Sequence, residues 1–149
     1  MDGLSPDTAA RQSWLSLLAK APAARLAELM PQDLPAHEWL RRPEVGAVMV
    51  QGRTGATGSP FNLGEMTVTR CALRLADGTV GHGYVQGRDG AHATRVALVD
   101  ALMQTARAES VRAGVLAPLQ AHAAATAEAR AQKAAATKVS FFTLARGED

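Results

Sequence analysis

The sequence predicts an α+β fold: an antiparallel β-meander of about three strands with an N-terminal helical hairpin, a long helix packed across the sheet and an alanine-rich C-terminal helix. Three observations carry this reading. Asp77-Gly78 is a two-residue turn signal between two β-rich runs, and it supplies the positive φ that tight hairpins need. Val80, His82 and Tyr84 then alternate with Gly81, Gly83 and Val85, which is a strand with one nearly bare face. Glycine inside a strand gives up side-chain packing and marks the close approach of a backbone, a helix or a ligand. Finally, Val96, Val99, Met103 and Ala106 recur at three- and four-residue spacing and define one buried helical stripe. Asp89 stands where a cap for that helix belongs, just before its start near Gly90.

Composition bounds the rest. A chain of 149 residues fits a single domain, 1–149. Its stretches are N-terminal helices in 1–43, strands plus the main helix in 44–110, and a C-terminal helix with a docking tail in 119–149. Hydrophobic content of 47% with 20% charged residues describes an ordinary soluble protein. Only 4% of residues are aromatic and alanine carries much of the apolar total, so the core is thin and leaves surface for a partner to complete. The net charge is +2 with the basic residues scattered, which gives no electrostatic footprint for nucleic acid. Cys71 is the one cysteine, so an internal disulfide is excluded, and its place beside Leu73 and Leu75 marks it as a small buried hydrophobe. No signal peptide or apolar run of spanning length is seen, and the expected location is the cytoplasm, away from membranes.

Taken in order, Ser5-Pro6-Asp7 is a helix start, with Ser5 as cap and Pro6 at the first helical position. Trp14, Leu15, Leu17 and Leu18 follow on a helix ending near Lys20. Pro22 begins a second short helix with Leu26, Leu29 and Met30, and Trp39-Leu40 closes a third helical turn before Pro43. From Glu44 the period changes to two. Val45, Ala47 and Met49 alternate with Gly46, Val48 and Val50, a strand apolar on both faces and expected to be covered on both. Gln51 to Pro60 reads as a long loop, and Glu65 to Leu75 as the second strand, with Arg70 and Arg74 sharing the face away from the core. Leu116-Ala117-Pro118 breaks the chain, and a last helix begins near Leu119. Ten of the sixteen residues from Ala121 to Ala136 are alanine, which favours helix strongly but provides little packing on the chain's own domain. The apolar segment around Phe141-Phe142 reads as a docking tail, either onto a partner or back onto the same domain.

The candidate chemistry is sparse. His37, His82, His92 and His122 have no partner at a metal-ligand spacing, so no metal site is expected. Gln86, Arg88, Asp89 and His92 gather at the strand-to-helix junction, with Arg88, Asp89 and His92 the weak catalytic candidates; a helix cap plus an ion pair explains the cluster as well. The glycine-rich loop with Arg53, Thr54 and Thr57 invites a phosphate-cradle reading, yet it lacks the lysine and the following helix of a Walker loop. Those three residues are the weak substrate-binding candidates.

Several motifs appear in a fixed order. They are Arg11-Gln12-x-Trp14, Thr67-x-Thr69-Arg70, Asp77-Gly78-Thr79-x-Gly81, Val85-Gln86-Gly87-Arg88-Asp89, Ala97-Leu98-x-Asp100-Ala101-Leu102-Met103 and Phe141-Phe142-Thr143-x-x-Arg146-Gly147. In this combination the chain resembles the G subunit of the bacterial carbon–phosphorus lyase system for phosphonate use. The departures are Tyr84, where that family is expected to have tryptophan, and a C-terminal helix richer in alanine.

The resemblance implies an accessory subunit of a core complex that also holds H, I and J subunits, with an associated L protein and a second copy of this chain. With H, I and L, the family is linked to replacing the adenine of MgATP by a phosphonate. The nucleosidase step is assigned to the I subunit and radical C–P cleavage to the iron–sulfur J subunit. The implied chain binds no cofactor itself, while the complex uses MgATP, and no catalytic residue is carried over to it. The surfaces expected to meet a partner are Gly81 and Gly83, the alanine helix, and Phe141 and Phe142. The alternative is a free-standing small enzyme using Arg88, Asp89 and His92.

Overall fold

A computed structural model describes residues 6–138. Helices α1 (Pro6–Lys20) and α2 (Ala23–Leu29) form the N-terminal hairpin. Strands β1 (His37–Arg53), β2 (Pro60–Leu75) and β3 (Val80–Gln86) follow, then α3 (Gly90–Leu102), a short α4 (Ala108–Val111), a π-helical stretch (Arg112–Leu116) and α5 (Ala117–Ala136). The sheet is an antiparallel meander in the order β1-β2-β3. The α+β class, the three-stranded sheet, the N-terminal helices and the long C-terminal helix agree with the sequence reading. Ser5, the expected cap of α1, and Phe141-Phe142 lie outside the described residues.

The core is built around α3. Its Ala93, Ala97 and Ala101 lie against the glycines of β3, while its other sides meet α1 and α2. Nine of its thirteen residues are buried, so this is a central helix rather than one with a single apolar stripe. The stripe expected to reach Ala106 ends at Met103, because the helix stops at Leu102 and Ala106 is exposed. Leu18, Leu26, Leu73 and Leu102 are each at most 1% exposed. Burial of each contributes about 1.5–3 kcal/mol relative to an exposed side chain.

Four boundaries differ from those expected, one of them the start of β2 at Pro60 rather than Glu65. Trp39-Leu40 is strand, not a third helical turn, so the helical stretch assigned to 1–43 gives way to β1 at His37. Pairing of Trp39 with Leu73 and its packing onto the core outweigh local helical preference. Pro43 is tolerated because the ladder is irregular between Arg41 and Glu44, where no N–H is needed from it. The segment from Gln51 to Pro60 is a short turn, since β1 runs to Arg53 and β2 resumes at Pro60; the Thr54 carbonyl accepts from Gly58 N–H at 2.9 Å to close it. The helical path also does not break at Pro118. The Ala117 N–H donates to the Arg112 carbonyl five residues back, and the next residue is the one that has no N–H to place.

Beyond this body two elements project. Every residue of β1 from Glu44 to Met49 and of β2 from Pro60 to Glu65 is exposed, which makes the far half of the β1–β2 hairpin a two-stranded ribbon. Among the residues of α5 only Leu119 is buried.

Candidate functional site

The strand-to-helix junction resolves into a cap and a packing residue. Asp89 caps α3, its carboxylate accepting from the His92 N–H at 2.8 Å. The His92 ring turns inward, 7% exposed, with Nε2 3.0 Å from the Leu18 carbonyl. A carbonyl only accepts, so this contact places the imidazole proton on Nε2. Arg88 and Gln86 are exposed. The junction therefore brings Asp89 and His92 together only through the backbone of α3, and the imidazole is committed to tying α3 to α1.

The turn residues also hold their own loop. Arg53 Nη1 donates to the Gly58 carbonyl at 3.2 Å, and Thr57 Oγ1 lies 3.5 Å from the Gly55 carbonyl. Thr54 contributes the carbonyl that closes the turn. The Arg70 and Arg74 face is likewise engaged within the sheet: Arg70 Nε lies 2.9 Å from Glu44, and Arg74 pairs with Glu38, each acid standing opposite its arginine on β1.

The bare face at Gly81 and Gly83 is filled from within. A Cβ on Gly81 would lie 2.0 Å from the Ala97 carbonyl oxygen, and one on Gly83 would lie 2.0 Å from that of Ala93. The glycines exist to let α3 approach the sheet. The expectation of a partner surface there is corrected, because the chain's own helix occupies it.

Sequence reasoning missed the most connected polar group. Asp100 is fully buried in α3 and takes four donors: Arg11 Nε at 3.0 Å, Arg11 Nη2 at 2.7 Å, Trp14 Nε1 at 2.9 Å and the His82 N–H at 2.9 Å. Arg11 Nη2 also donates to the Val80 carbonyl at 3.2 Å. One carboxylate thus joins α1, α3 and β3. A buried charge is tolerable only when paired and hydrogen-bonded, and here each donor comes from an element that must be in place. The signal was an acid inside the apolar run Val96–Met103, with Arg11 and Trp14 one helical turn apart upstream.

Burial pushes the Cys71 thiol up from 9.0 to about 11, against a smaller downward pull from the Gly83 backbone, which makes it a poor nucleophile. A groove of about 520 Å³ between α1 and α5 has Leu17, Pro22 and Leu119 along it and Lys20, His122 and Arg130 at its rim. Among the described residues no group of three His, Cys, Asp or Glu side chains is placed to hold a metal ion.

These features define a class: a small α+β protein whose polar clusters hold its own fold and whose two projections are left uncovered by the other described residues. The family model for the phosphonate metabolism protein PhnG matches residues 9–147. Over 143 residues the chain is 41% identical to the alpha-D-ribose 1-methylphosphonate 5-triphosphate synthase subunit PhnG of Rhizobium meliloti (strain 1021), covering 95% of this chain and 92% of that protein. The chain belongs to the PhnG family of phosphonate metabolism proteins.

Proposed function

We propose that this chain is the non-catalytic G subunit of a cytoplasmic carbon–phosphorus lyase complex, working with H, I and J subunits and the associated L protein. Its reaction is the transfer of ribose triphosphate from MgATP to a phosphonate with release of adenine. The observation that carries the reading is the 41% identity, across 95% of the chain, to a protein named as a subunit of the alpha-D-ribose 1-methylphosphonate 5-triphosphate synthase. The geometry supports an accessory role. Asp89 caps a helix, His92 bonds a buried carbonyl, and Asp100 is saturated by Arg11, Trp14 and the His82 backbone. A free-standing enzyme built on Arg88, Asp89 and His92 would need the imidazole facing its partners in solvent, and it faces Leu18 instead.

The test is adenine release from MgATP plus methylphosphonate, using H, I and L proteins with and without this chain. The subunit reading expects release to depend on the chain and to survive His92→Ala wherever the variant still assembles. Release that is indifferent to the chain would contradict the reading. Loss of release from a fully assembled His92→Ala complex would contradict the accessory role.

A further inference from the structure

Among the described residues, the far half of the β1–β2 hairpin has strand neighbours only within its own two strands. Successive residues of β1 point to opposite faces, and directly paired residues share a face. Val45 and Met49 pair with Thr69 and Glu65 on the α3 side, and they are 47% and 53% exposed. Val48 pairs with Met66 on the other side, where Phe61 lies beside Gly52; Val48 is 36% and Phe61 45% exposed. Leu63, also next to Gly52 and extra to the pairing between Gly64 and Asn62, is 68% exposed. Among the described residues, both faces are therefore apolar and bare. From Val45 to Met66 the only ionisable side chains are Arg53 and Glu65, so the surface complements an uncharged, apolar one. A two-stranded hairpin without a covering layer is marginal in water.

We infer that the ribbon is a clasped element: a partner protein chain different from this one takes it into an apolar cleft that covers both of its faces. The inference rests on the proposed reading of this chain as a subunit. Area decides between a clasp and simple stacking. Ten residues of β1 extend ~33 Å and two strands are ~10 Å wide, so each ribbon face offers ~300 Å². A twofold contact between two copies, ribbon on ribbon, covers one face of each and stays far below the ~800 Å² per partner of a stable interface. Covering both faces and the edges brings the ribbon close to that size. The edge contributes as well: β3 pairs with β2 only from Val68 to Arg74, which leaves the backbone of β2 before Thr67 open on that side for an added strand.

The test co-expresses this chain with the H, I and J subunits and measures its incorporation by size-exclusion chromatography and native mass spectrometry. Wild type is compared with Met49→Asp on one face and Leu63→Asp on the other, both well exposed, with thermal melting of the isolated variants to verify the fold. Each substitution alone is expected to lower incorporation at least ~10-fold, as an ion buried in an apolar cleft must. Sensitivity on one face only would overturn the clasp in favour of stacking. Insensitivity on both faces would overturn it while the subunit reading stands, because the wild-type chain has assembled. A homodimer of the isolated chain whose ribbon amides are protected from exchange would also overturn it. Failure of the wild-type chain to assemble would defeat the subunit reading and this inference together.

Discussion

The two halves of β2 belong to different environments. From Val68 to Leu75 it is flanked by strands on both sides, and Thr69, Cys71, Leu73 and Leu75 are buried under α3. From Pro60 to Glu65 it has one neighbour, and every residue is exposed. Composition does not explain the contrast, since Phe61 and Leu63 are as apolar as Leu73 and Leu75. What differs is the covering layer. One half is closed by the chain's own helix, and the other extends past the end of that helix.

Four perturbations break or sharpen this contrast. The largest effect is expected at Asp100. Asp100→Ala strands the Arg11 guanidinium, the Trp14 N–H and the His82 N–H, and should lower unfolding stability by about 3–5 kcal/mol in urea titration. Next is a pair of glycines. Gly83→Ala forces a Cβ into the Ala93 carbonyl and should cost about 1–3 kcal/mol, while Gly46→Ala on the ribbon meets nothing within 4 Å and should be neutral or slightly stabilising. Equal losses at the two glycines would remove the distinction between body and ribbon.

The third perturbation is pH. The folded state holds the Cys71 thiol protonated to about 11, against 9.0 when unperturbed. Between those values the native state binds a proton that the unfolded state has lost. This part of the stability is complete below pH 9 and is lost as pH rises to 11, by about 2 kcal/mol. Denaturant titrations of the wild type and Cys71→Ala across that window should diverge by this amount, and parallel curves would contradict it. The smallest effect is on the ribbon itself, where Val48→Thr should shift stability by no more than ~0.5 kcal/mol in the same titration, as at other exposed positions.

Much of the fold was legible because short-range chemistry specifies it. The positive φ at Gly78, the glycine strand and the Asp89 cap each follow from local rules. The turn itself, however, centres on Ala76 and Asp77, closed by the Gly78 N–H donating to the Leu75 carbonyl, with Asp77 accepting from the Thr79 N–H. What was illegible depended on distant partners. Trp39 is a strand residue because Leu73 lies opposite, and the continuity of helix through Pro118 depends on a π turn that no period announces. The site divided in the same way. Asp89 and His92 were found as neighbours in sequence, but the direction of the His92 ring is set by Leu18, 74 residues away. Asp100 was passed over because its donors come from positions 11, 14 and 82.

The most direct test is amide hydrogen exchange on the isolated chain. Free energies of opening should divide it in two: amides of α3 and of β2 from Val68 to Leu75 exchanging only through global unfolding, and those of the ribbon exchanging orders of magnitude faster through local opening. Uniform protection along the full length of β2 would contradict the account, because it would mean that the ribbon is stable without a covering layer.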